Sequence, residues 1–191
     1  MKLPFRPVAY TKDNGNPVKN ISFPIKNYNL GDLSIGDEVN IWGSIYVARD
    51  AAHKKLTDAL KKKEVLPLQI EGGLIYYMGP SPSPKEGTIG SCGPTTSSRM
   101  DKYTGTLLKM GLKATMGKGC RGKEIIAACK KYGAVYFVTY GGCGAYLRRF
   151  VKTTEVIAYP ELGPEAIYKL GVEGFPAVVG IDIKGNSLYN K

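Results

Sequence analysis

The chain has 191 residues, 43% of them hydrophobic, which is enough for one domain with a filled core and too apolar for a disordered polymer. Lysine and arginine number 27 against 16 acidic residues, a net charge of +11 that suits small anions or an acidic partner, while the lysines are scattered and aromatic residues are not interleaved with them in any recognisable RNA-binding motif, which argues against nucleic acid. No run approaches the ~20 apolar residues of a membrane helix and Met1 to Pro7 lacks a signal peptide's apolar core, so a soluble, cytoplasmic chain is expected.

Residues 1–30 mix Pro, Asn, Lys and isolated apolar residues without a period and read as an N-terminal arm; residues 31–191 read as the folded domain. The pattern predicts a strand over 39–48, then a helix over 50–62 with Ala52, Leu56, Ala59 and Leu60 on one apolar face. The run Lys61, Lys62 and Lys63 falls at its end, where cations suit the helix dipole. A strand over 73–78 is closed by the Pro-Ser loop 79–84. Next come a helix over 97–110, a strand over 112–116, a helix over 122–132, a strand over 134–139 and a short helix near Ala145. A strand over 155–158, a helix over 164–170 and a strand over 177–183 end at the turn Lys184-Gly185-Asn186. Alternation of this kind implies a layered α/β domain.

Cys92, Cys120, Cys129 and Cys143 have no pair at the spacing of a zinc or ferredoxin site and read as free buried thiols. The stretch Gly117-Lys118-Gly119-Cys120-Arg121-Gly122-Lys123-Glu124 has the spacing of a dinucleotide loop and most of a phosphate loop, yet fails both. Glu124 stands where a magnesium-holding hydroxyl belongs, and Thr139-Tyr140 stand where a ribose-binding acid is needed. What survives is a glycine turn with Lys118 facing a small anion ahead of a helix start near Gly122.

Two other segments carry the same logic. In Gly93-Pro94-Thr95-Thr96-Ser97-Ser98-Arg99-Met100-Asp101, hydroxyl residues stand at a predicted helix start, with Arg99 one turn after Thr95. In Arg49-Asp50-Ala51-Ala52-His53-Lys54, a strand end enters a helix and sets Arg49 one turn from the chain's single histidine. Arginine matters because its fork matches a carboxylate with two parallel hydrogen bonds.

Taken in order with Gly117-Lys118-Gly119, Ala158-Tyr159-Pro160-Glu161-Leu162-Gly163-Pro164-Glu165-Ala166 and Val172-Glu173-Gly174-Phe175-Pro176-Ala177, these segments resemble the β region of class I fumarases and L-tartrate dehydratases. The resemblance covers roughly residues 30 to 190. It implies a swivelling β/β/α domain, a layered sheet with helices, that closes over a 4Fe-4S cluster held by three cysteines of a partner α subunit. None of the four cysteines here would be a ligand, and this chain would bind no cofactor or metal itself. Carried over, Arg49, Arg99 and Lys118 hold the dicarboxylate, Thr95 is the β-region group nearest the transferred proton, and His53, Asp50 and Thr96 support them. His53 would orient or cap beside Asp50. The expected activity is reversible hydration of fumarate to (S)-malate, within an assembly such as α2β2, by a chain inactive alone. L-tartrate dehydration is the alternative; a nucleic-acid module and a stand-alone anion-binding protein are the readings outside that class.

Overall fold

Apolar side chains that alternate along Leu74, Ile75, Tyr76 and Tyr77 require a core on each face of the sheet, and the fold provides both. The computed structural model describes residues 17–26, 28–83 and 88–189. Its seven strands, β1 (Lys19–Phe23), β2 (Glu38–Val47), β3 (Leu74–Tyr76), β4 (Ala114–Gly117), β5 (Val135–Val138), β6 (Val151–Ala158) and β7 (Ile167–Ile181), form one sheet. The helices are α1 (Asp50–Lys61), α2 (Asp101–Lys109), α3 (Lys123–Tyr132) and the one-turn α4 (Gly144–Leu147).

Strands β1 to β5 pair in parallel, in chain order, whereas β7 runs antiparallel to β2, β5 and β6. Because β7 binds both β2 and β5, the strands β2, β3, β4, β5 and β7 close into a ring. Ile41, Ile45, Leu74, Tyr76, Met116, Phe137, Phe175 and Val179 fill its interior. Ile75, Tyr77, Tyr136 and Ile181 face outward and are covered by Ala52 and Leu56 of α1, Leu107 and Leu108 of α2, and Ile125 and Cys129 of α3. Each such aliphatic or aromatic side chain contributes about 1.5–3 kcal/mol on burial. The result is the layered α/β fold the alternation implied.

Three stretches differ from the sequence reading. The predicted helix over 164–170 is absent; a 3-10 turn over Pro160–Glu165 leads straight into the 15-residue β7. Gly171, Gly174 and Pro176 disfavour a strand taken by itself, and the pairing absorbs them. Gly174, at φ +67°, lies where the β2 register shifts between Ile41 and Gly43. Pro176 falls between the span of β7 paired to β6, which ends at Val172, and the span paired to β5, which begins at Val178. The predicted helix over 97–110 is a 3-10 turn, Ser97–Met100, followed by α2. Part of the arm is strand: β1 runs along the N-terminal half of β2, while residues 1–16 of that arm lie outside the described residues.

Among the described residues no helix is long and apolar enough to cross a membrane. The C-terminal ends of β2, β3, β4 and β5 open onto one rim of the ring, where parallel sheets present their ligand sites.

Candidate active site

At that rim the sheet splits. Tyr77 N–H still donates to the Met116 carbonyl at 2.8 Å, but beyond it residues 94–97 insert between the two chains. Thr95 N–H donates to the Tyr77 carbonyl at 2.8 Å, Lys118 N–H to the Thr95 carbonyl at 3.3 Å, and Ser97 N–H to the Lys118 carbonyl at 2.9 Å. Thr95 and Lys118 are thereby fixed side by side through backbone bonds, with Thr96 bridged to Lys118 in parallel. Glycine at 117 is required: a Cβ there would collide with the Ser97 hydroxyl and lie 3.3 Å from the Thr95 carbonyl.

The arginines come together through Asp50. Arg99 donates from Nε to Oδ1 at 3.0 Å and from Nη2 to Oδ2 at 2.9 Å, the fork-to-fork geometry of a strong pair. Arg49 Nε lies 3.5 Å from Asp50 Oδ2 and 3.3 Å from Glu165 Oε1. Its stem runs over Gly79, two residues past Tyr77, so the Arg49 and Thr95 segments adjoin. Arg49, Asp50, Arg99, Thr95, Thr96 and Lys118 therefore share one rim. Lys118 and Arg99 are exposed and Thr95 is half-buried, so the cations face outward from this chain.

Local geometry departs from the sequence reading at several points. Thr95 does not stand at a helix N-terminus: it is in extended pairing, and the 3-10 turn that follows has Thr96 as its cap residue with no side-chain capping bond. At the start of α3 the N-cap Gly122 N–H donates to Asp101 Oδ2 at 2.8 Å, so a carboxylate of the chain itself sits beside that helix end. His53 does not pair with Asp50, whose carboxylate is committed to arginine. Its Nδ1–H donates to the Arg49 carbonyl at 2.9 Å, a bond that fixes the neutral tautomer. The ring is stacked on Tyr103 and edge-on to Tyr77, fully buried, and Nε2 has no hydrogen-bond partner among the described residues. Burial lowers its pKa to about 4, helped by the positive charge of Arg121 and opposed by the bond to Arg49.

Sequence reasoning missed two residues. Glu165 reaches the site from a position 114 residues beyond Ala51, a separation that no local pattern reveals. Arg121, counted only within the glycine-rich stretch, is a buried strut. Its Nε donates to Asp101 Oδ1 at 2.6 Å, Nη1 to Thr115 at 3.1 Å and Nη2 to Thr104 at 2.9 Å, and the guanidinium lies over the rings of Tyr77 and Tyr136. The alternation of β4 was the available signal, since it turns Thr115 toward the helices.

The cysteines do not fit an iron–sulfur cluster. Cys92 packs inside the ring and Cys129 under α3, on opposite faces of the sheet, and burial pushes each thiol up to about 11, against the thiolate a cluster needs. Cys120 and Cys143 are exposed, contrary to the expectation of four buried thiols. No group of three or more His, Cys, Asp or Glu that could hold a metal ion occurs among the described residues. The segment Gly141-Gly142-Cys143-Gly144 serves backbone packing: Cys92 N–H donates to the Gly144 carbonyl at 3.0 Å, and a Cβ at 144 would lie 2.7 Å from Gly93 N.

The family described as "Fumarase C-terminus" matches residues 5–191, so the likeness extends into the N-terminal segment that the sequence reading set outside it. The chain belongs to the Fumarase C-terminus family. Within it, the class I aerobic fumarate hydratase of Escherichia coli (strain K12) is 39% identical over 185 residues, 96% of this chain and 33% of that protein. Fumarate hydratase 2 of Leishmania major is 40% identical over 164 residues, 85% of this chain and 29% of that protein. The chain thus spans about a third of the length of these two relatives. A "Putative L(+)-tartrate dehydratase subunit beta" of Methanocaldococcus jannaschii is 39% identical over 165 residues, 83% of this chain and 85% of that protein.

Proposed function

We propose that this Fumarase C-terminus chain is the β subunit of a 4Fe-4S hydro-lyase that reversibly hydrates fumarate to (S)-malate, its partner α subunit carrying the cluster. The observation that supports the reading is that Lys118 is joined through its backbone to Thr95, and Arg49 and Arg99 meet at Asp50, on the rim where β3 and β4 part. Cations are needed there for a chemical reason. Removing a proton next to a carboxylate builds charge onto that carboxylate, so donors held in advance stabilise the transition state more than the ground state.

In this reading Arg49 and Arg99 bind the substrate carboxylates, and Lys118, locked to the Thr95 backbone, lowers the cost of negative charge at the Thr95 hydroxyl as it takes or returns the proton. The cation-bearing rim is exposed in the chain alone, which suits a site completed by a second polypeptide and an isolated chain without activity. A cluster bound by that partner supplies the electrophile for hydroxyl departure; this chain supplies charge, orientation and a proton acceptor. L-tartrate dehydration is the second reading, favoured by the β-subunit relative, most of whose length this chain covers.

The test is anaerobic isolation of the chain with its partner, with fumarate hydration and L-tartrate dehydration assayed side by side. Turnover with iron in the second polypeptide supports the reading, and the ratio of the two rates chooses the substrate. Thr95→Val should abolish exchange of the substrate proton while leaving substrate binding, and retained exchange would place the base elsewhere. An iron-free, inactive preparation, beside a cluster enzyme that survives the same handling, would sink the proposal.

A further inference from the structure

Arg49, whose Nε–H donates to Asp50 Oδ2 at 3.5 Å, is also ion-paired with a carboxylate from the far end of the chain. Glu165 Oε1 lies 3.3 Å from Arg49 Nε, while Oε2 accepts the Ala51 backbone N–H at 2.8 Å. One carboxyl group therefore fixes a side chain and a main chain on either side of the β2–α1 junction. It also caps a helix that lacks a side-chain cap of its own, since the N-cap position is Arg49 itself.

The opposite wall is Gly79. A Cβ built there would lie 2.9 Å from Arg49 Nη1, 3.1 Å from Arg49 Cδ and 3.0 Å from the Pro164 carbonyl. The arginine stem thus occupies a slot between Gly79 and the 164–165 segment, and the residue that forms the slot is next to the residue that charges it. A second tie joins the same turn to α1: Lys55 Nζ reaches Glu161 Oε1 at 2.6 Å, one helical turn further along. Tethering of the turn and placement of Arg49 are therefore separable.

We infer that Glu165 is the positioning residue of the dicarboxylate site, setting the Arg49 guanidinium in its slot without touching substrate. The assignment rests on the hydro-lyase reading for its chemical purpose, though not for its geometry. Without Glu165, Arg49 keeps only the 3.5 Å contact with Asp50, a carboxylate already forked to Arg99, on a rim that also carries Lys118, and the long side chain is free to leave the slot. In this assignment Arg49 grips the carboxylate remote from the departing proton, whose charge is the same in ground and transition states, so its misplacement raises KM more than it lowers kcat.

Two measurements test this. In the isolated full chain, the Arg49 Nε–H resonance, identified by its loss in Arg49→Ala, should be slow to exchange with solvent, become fast in Glu165→Ala and stay slow in Glu161→Gln. In the chain assembled with its partner, Glu165→Ala should raise KM by roughly 10-fold or more, add little to Arg49→Ala, and find no parallel in Glu161→Gln. An unchanged Nε–H signal in Glu165→Ala overturns the assignment, as does a KM effect that adds in full to Arg49→Ala or appears equally in Glu161→Gln. If the wild-type assembly turns over neither fumarate nor L-tartrate, the hydro-lyase reading fails, while the resonance still decides whether Glu165 positions Arg49.

Discussion

Asp50 and Arg99, 49 residues apart in sequence, meet as a two-bond ion pair, with Nε to Oδ1 at 3.0 Å and Nη2 to Oδ2 at 2.9 Å. Asp50 also stands 3.5 Å from Arg49 Nε, so one carboxylate gathers two arginines that would otherwise repel. Both partners are substantially exposed, which makes the pair weak as a source of stability and more telling as a means of aiming side chains.

Replacing Asp50 by Ala should therefore leave folding nearly unchanged and lower kcat/KM of the assembled enzyme by roughly 10- to 100-fold, because Arg99 loses its aim and Arg49 loses one of its two carboxylate neighbours. Steady-state kinetics beside a urea unfolding curve checks this. Activity equal to wild type would show that the arginines find their places unaided.

His53 makes stability depend on pH. Its native pKa, about 4, lies below the ordinary 6.5, so the unfolded chain takes up the proton first as pH falls. Its contribution is complete above pH ~6.5 and is lost progressively as pH drops toward about 4, up to about 3 kcal/mol in all. His53→Asn keeps a donor for the Arg49 carbonyl but cannot titrate. Between pH 7.5 and 5 its unfolding free energy should fall less than that of wild type; equal slopes would mean that other groups carry the acid sensitivity.

Arg121→Ala should cost about 3–5 kcal/mol, since it leaves Asp101 as a buried charge facing only Gly122 N–H and strips Thr104 and Thr115 of a donor. Arg121→Lys should recover little of this, because a point charge cannot serve three partners. Chemical denaturation at neutral pH measures both. A loss below about 1 kcal/mol for the alanine variant would place the strut's worth elsewhere.

Gly117→Ala should act on Thr95. The added methyl pushes against the Ser97 hydroxyl and the Thr95 carbonyl, so the segment wedged between β3 and β4 shifts. We expect at least a 10-fold fall in kcat with the partner still bound, as the reacting hydroxyl is displaced by a fraction of an ångström. A crystal structure of the variant with Thr95 unmoved, together with normal turnover, would refute the claim that this glycine sets Thr95.

Much of this architecture could be read in advance. The boundaries of α1 and α3 followed from apolar spacing, and the parallel strands of the ring from their short β-rich runs. The placing of Arg49, Thr95 and Lys118 on a common rim followed from recognising the motifs rather than from the residues themselves. Only the end of β7 was legible, as the strand predicted over 177–183; residues 167–176 were not, because Gly171, Gly174 and Pro176 look like breaks when only one strand is in view, and their tolerance depends on which neighbour lies opposite each. Glu165 and Arg121 were illegible for the same reason: a carboxylate between two termini of secondary structure and a guanidinium beneath a sheet are defined by distant partners.

Closure of the ring by β7 has a consequence for biosynthesis. β2 emerges from the ribosome more than a hundred residues before its antiparallel mate, and until residues 167–181 follow, β2 and β5 each keep a raw, bonding-competent margin. Helices α1 to α3 can already shield the outer face of that half-made wall, whereas the inner face waits for Leu170, Val172, Phe175 and Val179. A nascent or truncated chain is thus most vulnerable to misassociation just before its last strand arrives, and Glu165 enters immediately ahead of that strand.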